Sequence, residues 1–357
     1  MKKIRIAGAG PSGLTAAINL AKAGYEVDVF EKAPDVGKHL KGGLQGLENW
    51  SDKKDIGDEL REMNLGINFD LDPFYNFSVS NGRKSWDFEA DPGTPAFYLV
   101  KRGSVPGSLD YGLKEQALQS GVNIRFQEKA PLEEMDIIAT GPVKNEVFIA
   151  AKGIAFDTSM DDMAIAFVDD RAAYLGYSYL LVTNGSGCMC TVLFDRFNNV
   201  GNCLENTKRI FSEMVELDIQ NPRPDGGIGS FSLGCQFESN AQLYVGEAAG
   251  LQDMVWGFGM RSAMRSGYLA ARSIIHGEDY EKAATECFRN KLKASLVNRY
   301  IWERFGARNY SMIFDALKGT RNPPKYMQSF HNFNHLQRIA YPFAIRKMRE
   351  RYPELSL

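Results

Sequence analysis

Residues 4–31, IRIAGAGPSGLTAAINLAKAGYEVDVFE, constrain this chain more than any other stretch. They run from apolar strand to glycine turn, Ala-rich helix, β-branched strand and a final acid. Gly8, Gly10 and Gly13 form a G-x-G-x-x-G turn directly behind Ile4–Ala7, with Pro11 and Ser12 opening the helix. In such a unit the first glycine permits a tight turn. The second lets the backbone approach a pyrophosphate, and the third lets the helix pack closely on the strand. Free N–H groups at the helix start face the phosphates. Glu31, followed by Lys32, is placed for its carboxylate to accept both hydroxyls of a ribose. The sequence therefore predicts a dinucleotide site. The competing reading is a glycine-rich turn that binds nothing.

The 357 residues, 44% of them apolar, suit two or three subdomains. Mean hydropathy is -0.30, and no uninterrupted apolar run reaches membrane-spanning length. Lys2 and Lys3 precede the glycine turn rather than a signal-peptide apolar core, which points to the cytoplasm. Five cysteines without shared spacing read as reduced thiols. The net charge of -2 is unevenly spread: from Gly259 onward there are 18 Lys and Arg against 8 Asp and Glu. The plain reading is a solvated basic helical tail on an acidic body. The sharper one is a tail that touches anionic lipid at a membrane surface or a phosphorylated substrate. No nucleic-acid motif accompanies the charge.

Beyond the opening unit, a polar helix is expected near Lys53–Met63. Phe74–Ser80 and Arg83–Glu89 should form a hairpin around Asn81-Gly82. A strand at Tyr98–Lys101 leads to a helix starting at Pro106 and ending near Ser120. Asn123–Phe126 and Asp136–Thr140 read as short parallel strands. Strands are expected at Glu146–Phe156, Met163–Val168, Tyr177–Thr183 and Cys188–Phe194, with a second hairpin at Asn184-Gly185. A helix at 202–218 precedes a turn-rich stretch, Asn221–Gly229, and a buried strand at Leu243–Gly246. The rest reads as helix, broken at Gly277, Gly306, Pro323-Pro324 and Pro342. The fold class is thus α/β. A discontinuous Rossmann-like domain (1–65, 97–145, 241–276) carries an inserted, mostly β substrate domain (66–96, 146–240) and a C-terminal helical region (277–357).

Two further motifs recur in order. DIIATGP, 136–142, is a strand ending in Thr140-Gly141, where small residues let the chain pass close to a dinucleotide. In LYVGEAAGLQDMVWGFGMRSAMRSGYLAARSII, a strand ends at Gly246-Glu247-Ala248-Ala249-Gly250. A loop with Trp256-Gly257-Phe258-Gly259 then enters a helix at Met260. That helix carries small residues for close packing, and its N-terminus supplies partial positive charge.

With these motifs the chain resembles FAD-dependent oxidoreductases of the geranylgeranyl reductase type, related to the aromatic-hydroxylase-like flavoproteins. The resemblance covers roughly 1–35, 97–142 and 243–276 and implies a non-covalent, extended FAD. The adenosine would lie at Glu31 and Lys32, with Ala130 nearby, the pyrophosphate at the glycine turn, and the flavin near Gly257–Met260. Arg102 matches the family's arginine on a strand before a helix, and Gly43-Leu44 resembles its flavin-facing loop, without the cysteine often found there. Glu247 replaces the usual aspartate. The family's substrate-facing Tyr-x-Trp-x-Phe-Pro stretch has only Tyr177-Ser178-Tyr179 as its nearest match.

The implied activity is reduction of a C=C bond in a hydrophobic polyprenyl or lipid substrate, with NAD(P)H or another donor reducing the flavin. One alternative is a flavin monooxygenase, hydroxylase or halogenase. Its Asp-Gly motif matches only Asp225-Gly226, which reads as a Pro-rich turn. A second is a non-catalytic prenyl-binding protein of the dissociation-inhibitor type. Trp256 is a candidate substrate contact, and Tyr177 and Tyr179 are candidate pocket-lining or proton-donating residues, set against ordinary packing. Cys188 and Cys190 read as core, and His331 with His335 lack the glutamate of a zinc motif, so no metal is expected.

Overall fold

A computed structural model describes residues 2–38, 40–91, 93–142, 148–232, 234–306, 310–318 and 323–353; the side chains of 305, 313, 316, 323 and 324 are not described. The start of the strand expected at Glu146–Phe156 lies outside the described residues.

Among the described residues, three sheets organise the fold. The first runs, edge to edge, Glu238–Ser239, Gln242–Tyr244, Ile137–Ile138, Lys3–Ala7, Glu26–Glu31 and Asn123–Phe126. Lys3–Ala7 pairs in parallel with Glu26–Glu31 on one side and Ile137–Ile138 on the other. Successive connections therefore leave this strand in opposite directions, and the crevice of such a switch point lies beyond its carboxyl end. The glycine turn sits there. Helix Pro11–Lys22 follows, with Ser12 through Leu20 all buried. Helix Met260–His276 packs across it. A Cβ at Gly267 would stand 2.1 Å from the Ser12 carbonyl oxygen, so only glycine allows this approach.

The second sheet has seven strands: Gln220–Gly229, Ile149–Asp157, Ser186–Leu193, Tyr177–Thr183, Met163–Phe167, Asn76–Ser80 and Ser85–Glu89. Both faces of its centre are covered. Leu180, Val182 and Met189 pack under Phe211 of helix Val200–Met214, while Leu181 and Cys188 pack with Trp86, Phe88 and Phe97 on the other side. Two-sided burial explains why these strands read as continuous apolar runs. A third, three-stranded sheet of Lys41–Glu48, Phe97–Gly103 and Asp72–Phe74 bridges the two.

Several expectations are corrected. The helix after Phe97–Gly103 begins at Leu109, capped by Ser108, and not at Pro106. Gly107 between them has φ +80°, which a helix cannot accommodate. Asn221–Gly229 is an extended edge strand paired with Ile149–Asp157 rather than a turn. Pro222 and Pro224 are compatible with an edge, where a missing N–H is tolerated. A Cβ at Gly226 would meet the Ala151 carbonyl oxygen at 2.4 Å. Pro342 lies inside helix His335–Arg351 and does not break it, and Pro323 begins a helix, Pro323–His331.

The C-terminal helices are anchored. Arg299, on helix Tyr280–Gly306, is fully buried. It donates to Glu303 Oε1 (2.8 Å) and the Leu175 carbonyl (3.0 Å), and lies 4.0 Å from the Phe194 ring centroid. Glu303 also accepts from the Tyr352 hydroxyl (2.6 Å) and pairs with Arg351 (3.0 Å), tying the last helix to this one.

Candidate functional site

A cleft of about 430 Å³ runs from the glycine turn to the inner face of the seven-stranded sheet. Its polar end is walled by Gly10, Pro11, Ser12, Gly141, Glu247 and the segment Gly257–Met260. Its apolar end is walled by Trp50, Phe77, Phe97, Tyr177, Tyr179, Trp256 and Met327.

The three glycines of the turn differ in what they meet. At Gly8 (φ +103°) a Cβ would lie 2.2 Å from the Ala139 carbonyl oxygen, and at Gly13 it would lie 2.1 Å from that of Gly8. At Gly10 it would meet nothing within 4 Å. The first two keep protein against protein; the third leaves open space over a helix N-terminus that has no side-chain cap. This is the arrangement a pyrophosphate needs. Glu31 spans the same turn, accepting from Ala9 N (3.0 Å) and Ala33 N (2.8 Å). Each carboxylate oxygen keeps a lone pair for a further hydroxyl. Lys32 is exposed beside it. Ala130 packs against the cluster of Ala7, Phe30, Met135 and Ile138. Thr140 is exposed and Gly141 adopts φ +75° at the cleft wall.

On the far side, Gly246 (φ +62°) donates its N–H to Ser266 Oγ (2.8 Å), which fastens the third motif to helix Met260–His276. Glu247 accepts from Ser230 N (2.6 Å), and burial lifts its carboxyl from 4.5 to about 7. Gly257 has φ +71°, and a Cβ at Gly259 would strike Gln252 Oε1 at 2.1 Å. Helix Met260–His276 thus starts without a side-chain cap, with its first N–H groups at the cleft.

Gly43-Leu44 is placed differently from what its motif suggests, while Arg102 stands on its strand before a helix but is held by protein partners. Arg102 is bound bidentately to Asp110 (2.8 and 2.9 Å) and donates to Gln45 Oε1 (2.7 Å), so three of its N–H donors are committed inside the protein. It still reaches the cleft wall. Gly43 and Leu44 belong to strand Lys41–Glu48 and not to a loop. Leu44 is fully buried in the aromatic cluster, and the cleft is lined instead by their neighbours Gln45 and Gly46.

The space beside Gly43 is taken by Asp225. A Cβ at 43 would lie 1.8 Å from Asp225 Oδ2. Asp225 is 9% exposed and lines the cleft. Its carboxyl accepts from Lys41 N (3.3 Å) and weakly from the Cys188 thiol (3.8 Å). Burial raises its pKa, opposed by N–H groups and by Arg102. In the sequence, Pro222 and Pro224 beside this residue predict a turn. Only the pairing of Gln220–Gly229 with Ile149–Asp157 reveals it as an edge strand.

Tyr177 donates its hydroxyl to the Trp256 carbonyl, and the two rings meet at 5.4 Å. Trp256 also meets Trp302 edge to face (ring centroids 5.0 Å). Ser295 donates to Asp253 Oδ2 (2.9 Å) and accepts from Met254 N (2.7 Å). Helix Tyr280–Gly306 therefore fixes the Trp256 loop, a role invisible in the motif itself. Tyr179 and Cys190 share the cleft face, and burial pushes the Cys190 thiol up to about 12, as expected of core rather than redox sulfur. Among the described residues no cluster of His, Cys, Asp and Glu could hold a metal ion. His331 contacts the Met327 carbonyl of its own helix (2.9 Å).

Comparison with known proteins agrees with this fold. Residues 6–43 match the NAD(P)-binding Rossmann-like domain family. The chain is 27% identical over 158 residues to the NAD-dependent dihydropyrimidine dehydrogenase subunit PreT homolog of Salmonella typhi, covering 44% of this chain but only 35% of that protein. Its fold matches a geranylgeranyl bacteriochlorophyll reductase-like protein of Thermoplasma acidophilum with a TM-score of 0.70 at 17% identity, over 98% of this chain and 99% of that one. It matches the flavin-dependent halogenase CmlS with a TM-score of 0.59 at 14% identity, over 99% of this chain and 78% of that one. The chain has the α/β fold, with a Rossmann-like dinucleotide domain, shared by FAD-dependent oxidoreductases including the geranylgeranyl reductase-like proteins.

Proposed function

We propose that this protein is an FAD-dependent reductase that saturates a C=C bond in a hydrophobic, prenyl-like substrate. The observation that carries the reading is the continuity of one cleft between an open pyrophosphate-type turn and an aromatic-walled sheet face. Gly10, Ser12 and the start of helix Pro11–Lys22 would hold the pyrophosphate, and Glu31 the adenosine ribose. Gly257–Met260 and Glu247 would hold the redox half. When bound and reduced by NAD(P)H or another donor, FAD supplies a hydride equivalent, which adds to one alkene carbon.

The apolar wall of Phe77, Phe97, Tyr179 and Trp256 excludes water and accepts the chain of the substrate. The second alkene carbon needs a proton, and the Asp225 carboxyl in the cleft wall would hold one, since burial favours its neutral form. Tyr177 keeps Trp256 in place. Oxygenation is the second reading, supported by the halogenase fold match and by Asp225-Gly226 standing in the cleft instead of a turn.

The test is a visible spectrum of freshly purified protein, repeated anaerobically after NADPH and then after a geranylgeranyl lipid. A flavin spectrum that bleaches and is restored by the lipid supports the reductase. Restoration only by oxygen, with hydroxylated or halogenated product, favours the second reading. Protein that stays colourless with added FAD overturns both and leaves a non-catalytic prenyl-binding protein.

A further inference from the structure

Helix His335–Arg351 has one buried and one bare side. Gln337, Ala344 and Met348 pack inward. On the other side Leu336, Ile339 and Phe343 are 76%, 66% and 48% exposed. Their i, i+3, i+7 spacing aligns them in one stripe. The same helix carries Arg338, Arg346, Lys347, Arg349 and Arg351 against a single acid, Glu350. The Arg346 guanidinium lies 5.7 Å from the Phe343 ring centroid. Phe343 in turn meets Tyr300 (5.6 Å), over which Arg304 projects. The apolar stripe is therefore bordered by cations from two helices. It is also preformed: Asn334 and Gln337 make a reciprocal capping box that fixes the helix start.

We infer that this face docks the protein on a bilayer with anionic headgroups, the stripe entering the headgroup boundary and Arg346, Lys347 and Arg349 meeting the phosphates. An apolar stripe beside basic residues has the chemistry of an interfacial helix. A second copy of the chain is the poorer occupant, because it would set one basic helix against another. The position adds to the argument. Gln337 Nε2 donates to the Phe330 carbonyl (2.7 Å) at the end of helix Pro323–His331, whose Met327 walls the apolar end of the cleft. The docked face would thus lie beside the end of the cleft that receives an apolar chain.

The test uses the full chain in flotation with vesicles of phosphatidylcholine alone or mixed with phosphatidylglycerol. The expected result is binding to the mixed vesicles, at least tenfold weaker without phosphatidylglycerol or in high salt. L336E/I339E should lose at least tenfold more, I339L should bind like the wild type, and both should keep the wild-type melting temperature. If L336E/I339E does not fold, R346Q/K347Q gives the same reading through charge alone, with at least a threefold loss. Wild-type protein that ignores both vesicles, or L336E/I339E or R346Q/K347Q protein that binds undiminished, overturns the inference. So does a wild-type dimer that L336E/I339E splits. Vesicle binding does not depend on the flavin, so a colourless protein that still floats would sink only the proposed function.

Discussion

Alanine at Gly10 and alanine at Gly13 should separate binding from folding. Gly13 is walled in: its Cβ would stand 2.1 Å from the Gly8 carbonyl oxygen and 3.1 Å from the Ala139 side chain. Backbone cannot yield as a flexible side chain does, so Gly13→Ala is overpacked and should cost about 1–3 kcal/mol of stability or more. Gly10 has φ -82° and ψ 178°, which any L residue adopts, and open space beyond. Loss of the N-cap glycine costs about 0.5–1 kcal/mol, while the stiffer unfolded chain returns a similar amount. Gly10→Ala should therefore fold with nearly unchanged stability. Its methyl nonetheless occupies the space where a pyrophosphate meets the backbone. Losing one charge-assisted hydrogen bond is worth about 1.5–3 kcal/mol, or roughly 10- to 150-fold in Kd. Urea melts of flavin-free protein and FAD titration by fluorescence quenching give the two readouts. Gly10→Ala protein that binds FAD as tightly as the wild type would refute the placement of the pyrophosphate.

Three other outcomes are expected. Glu247 is held near 7 against 4.5 when unfolded, so its burial costs nothing below about pH 4.5 and most above pH 7, at up to about 3 kcal/mol. Glu247→Gln should thus match the wild type in melts at pH 4 and exceed it at pH 8; equal stabilities at both would show that the carboxyl is not strained. If Asp225 supplies the reaction proton, lipid-driven flavin reoxidation should slow as pH rises through its raised pKa. Asp225→Asn should be slow and flat with pH, while reduction by NADPH is unchanged, as stopped-flow absorbance would show. Tyr177→Phe keeps its ring contacts but strands the Trp256 carbonyl, so it should lose about 1 kcal/mol in urea melts and shift tryptophan emission.

The opening βαβ unit was legible almost residue by residue, because each part is local: turn, cap, helix and acid lie within one stretch of chain. The same holds for the hairpins at Asn81-Gly82 and Asn184-Gly185, whose strands pair directly across the turn. What escaped was non-local. Pro222, Pro224 and Asp225 read as a turn because prolines usually break strands, and only the partner strand Ile149–Asp157 shows that this one is an edge. Gly43 read as flavin-facing, yet its lack of a side chain makes room for a carboxyl from a residue far along the chain. Trp256 was legible as a loop aromatic, but not the helix carrying Ser295 and Trp302 that immobilises it. Arg102 stood where its motif placed it, while its commitment to Asp110 depends on a rotamer that no spacing encodes.

The proline-bearing edge strand also bears on how the protein behaves at high concentration. A seven-stranded sheet has two open ends, each a template for uninvited pairing with another molecule. At one end Pro222 and Pro224 offer no donor to an incoming chain, and Gly226 has a φ of +139° that bends the strand from a regular ladder. At the other, Ser85–Glu89 presents Asp87 and Glu89 between its buried aromatics. Neither border invites a stranger, so both rims of the sheet can stand at the surface without seeding aggregates.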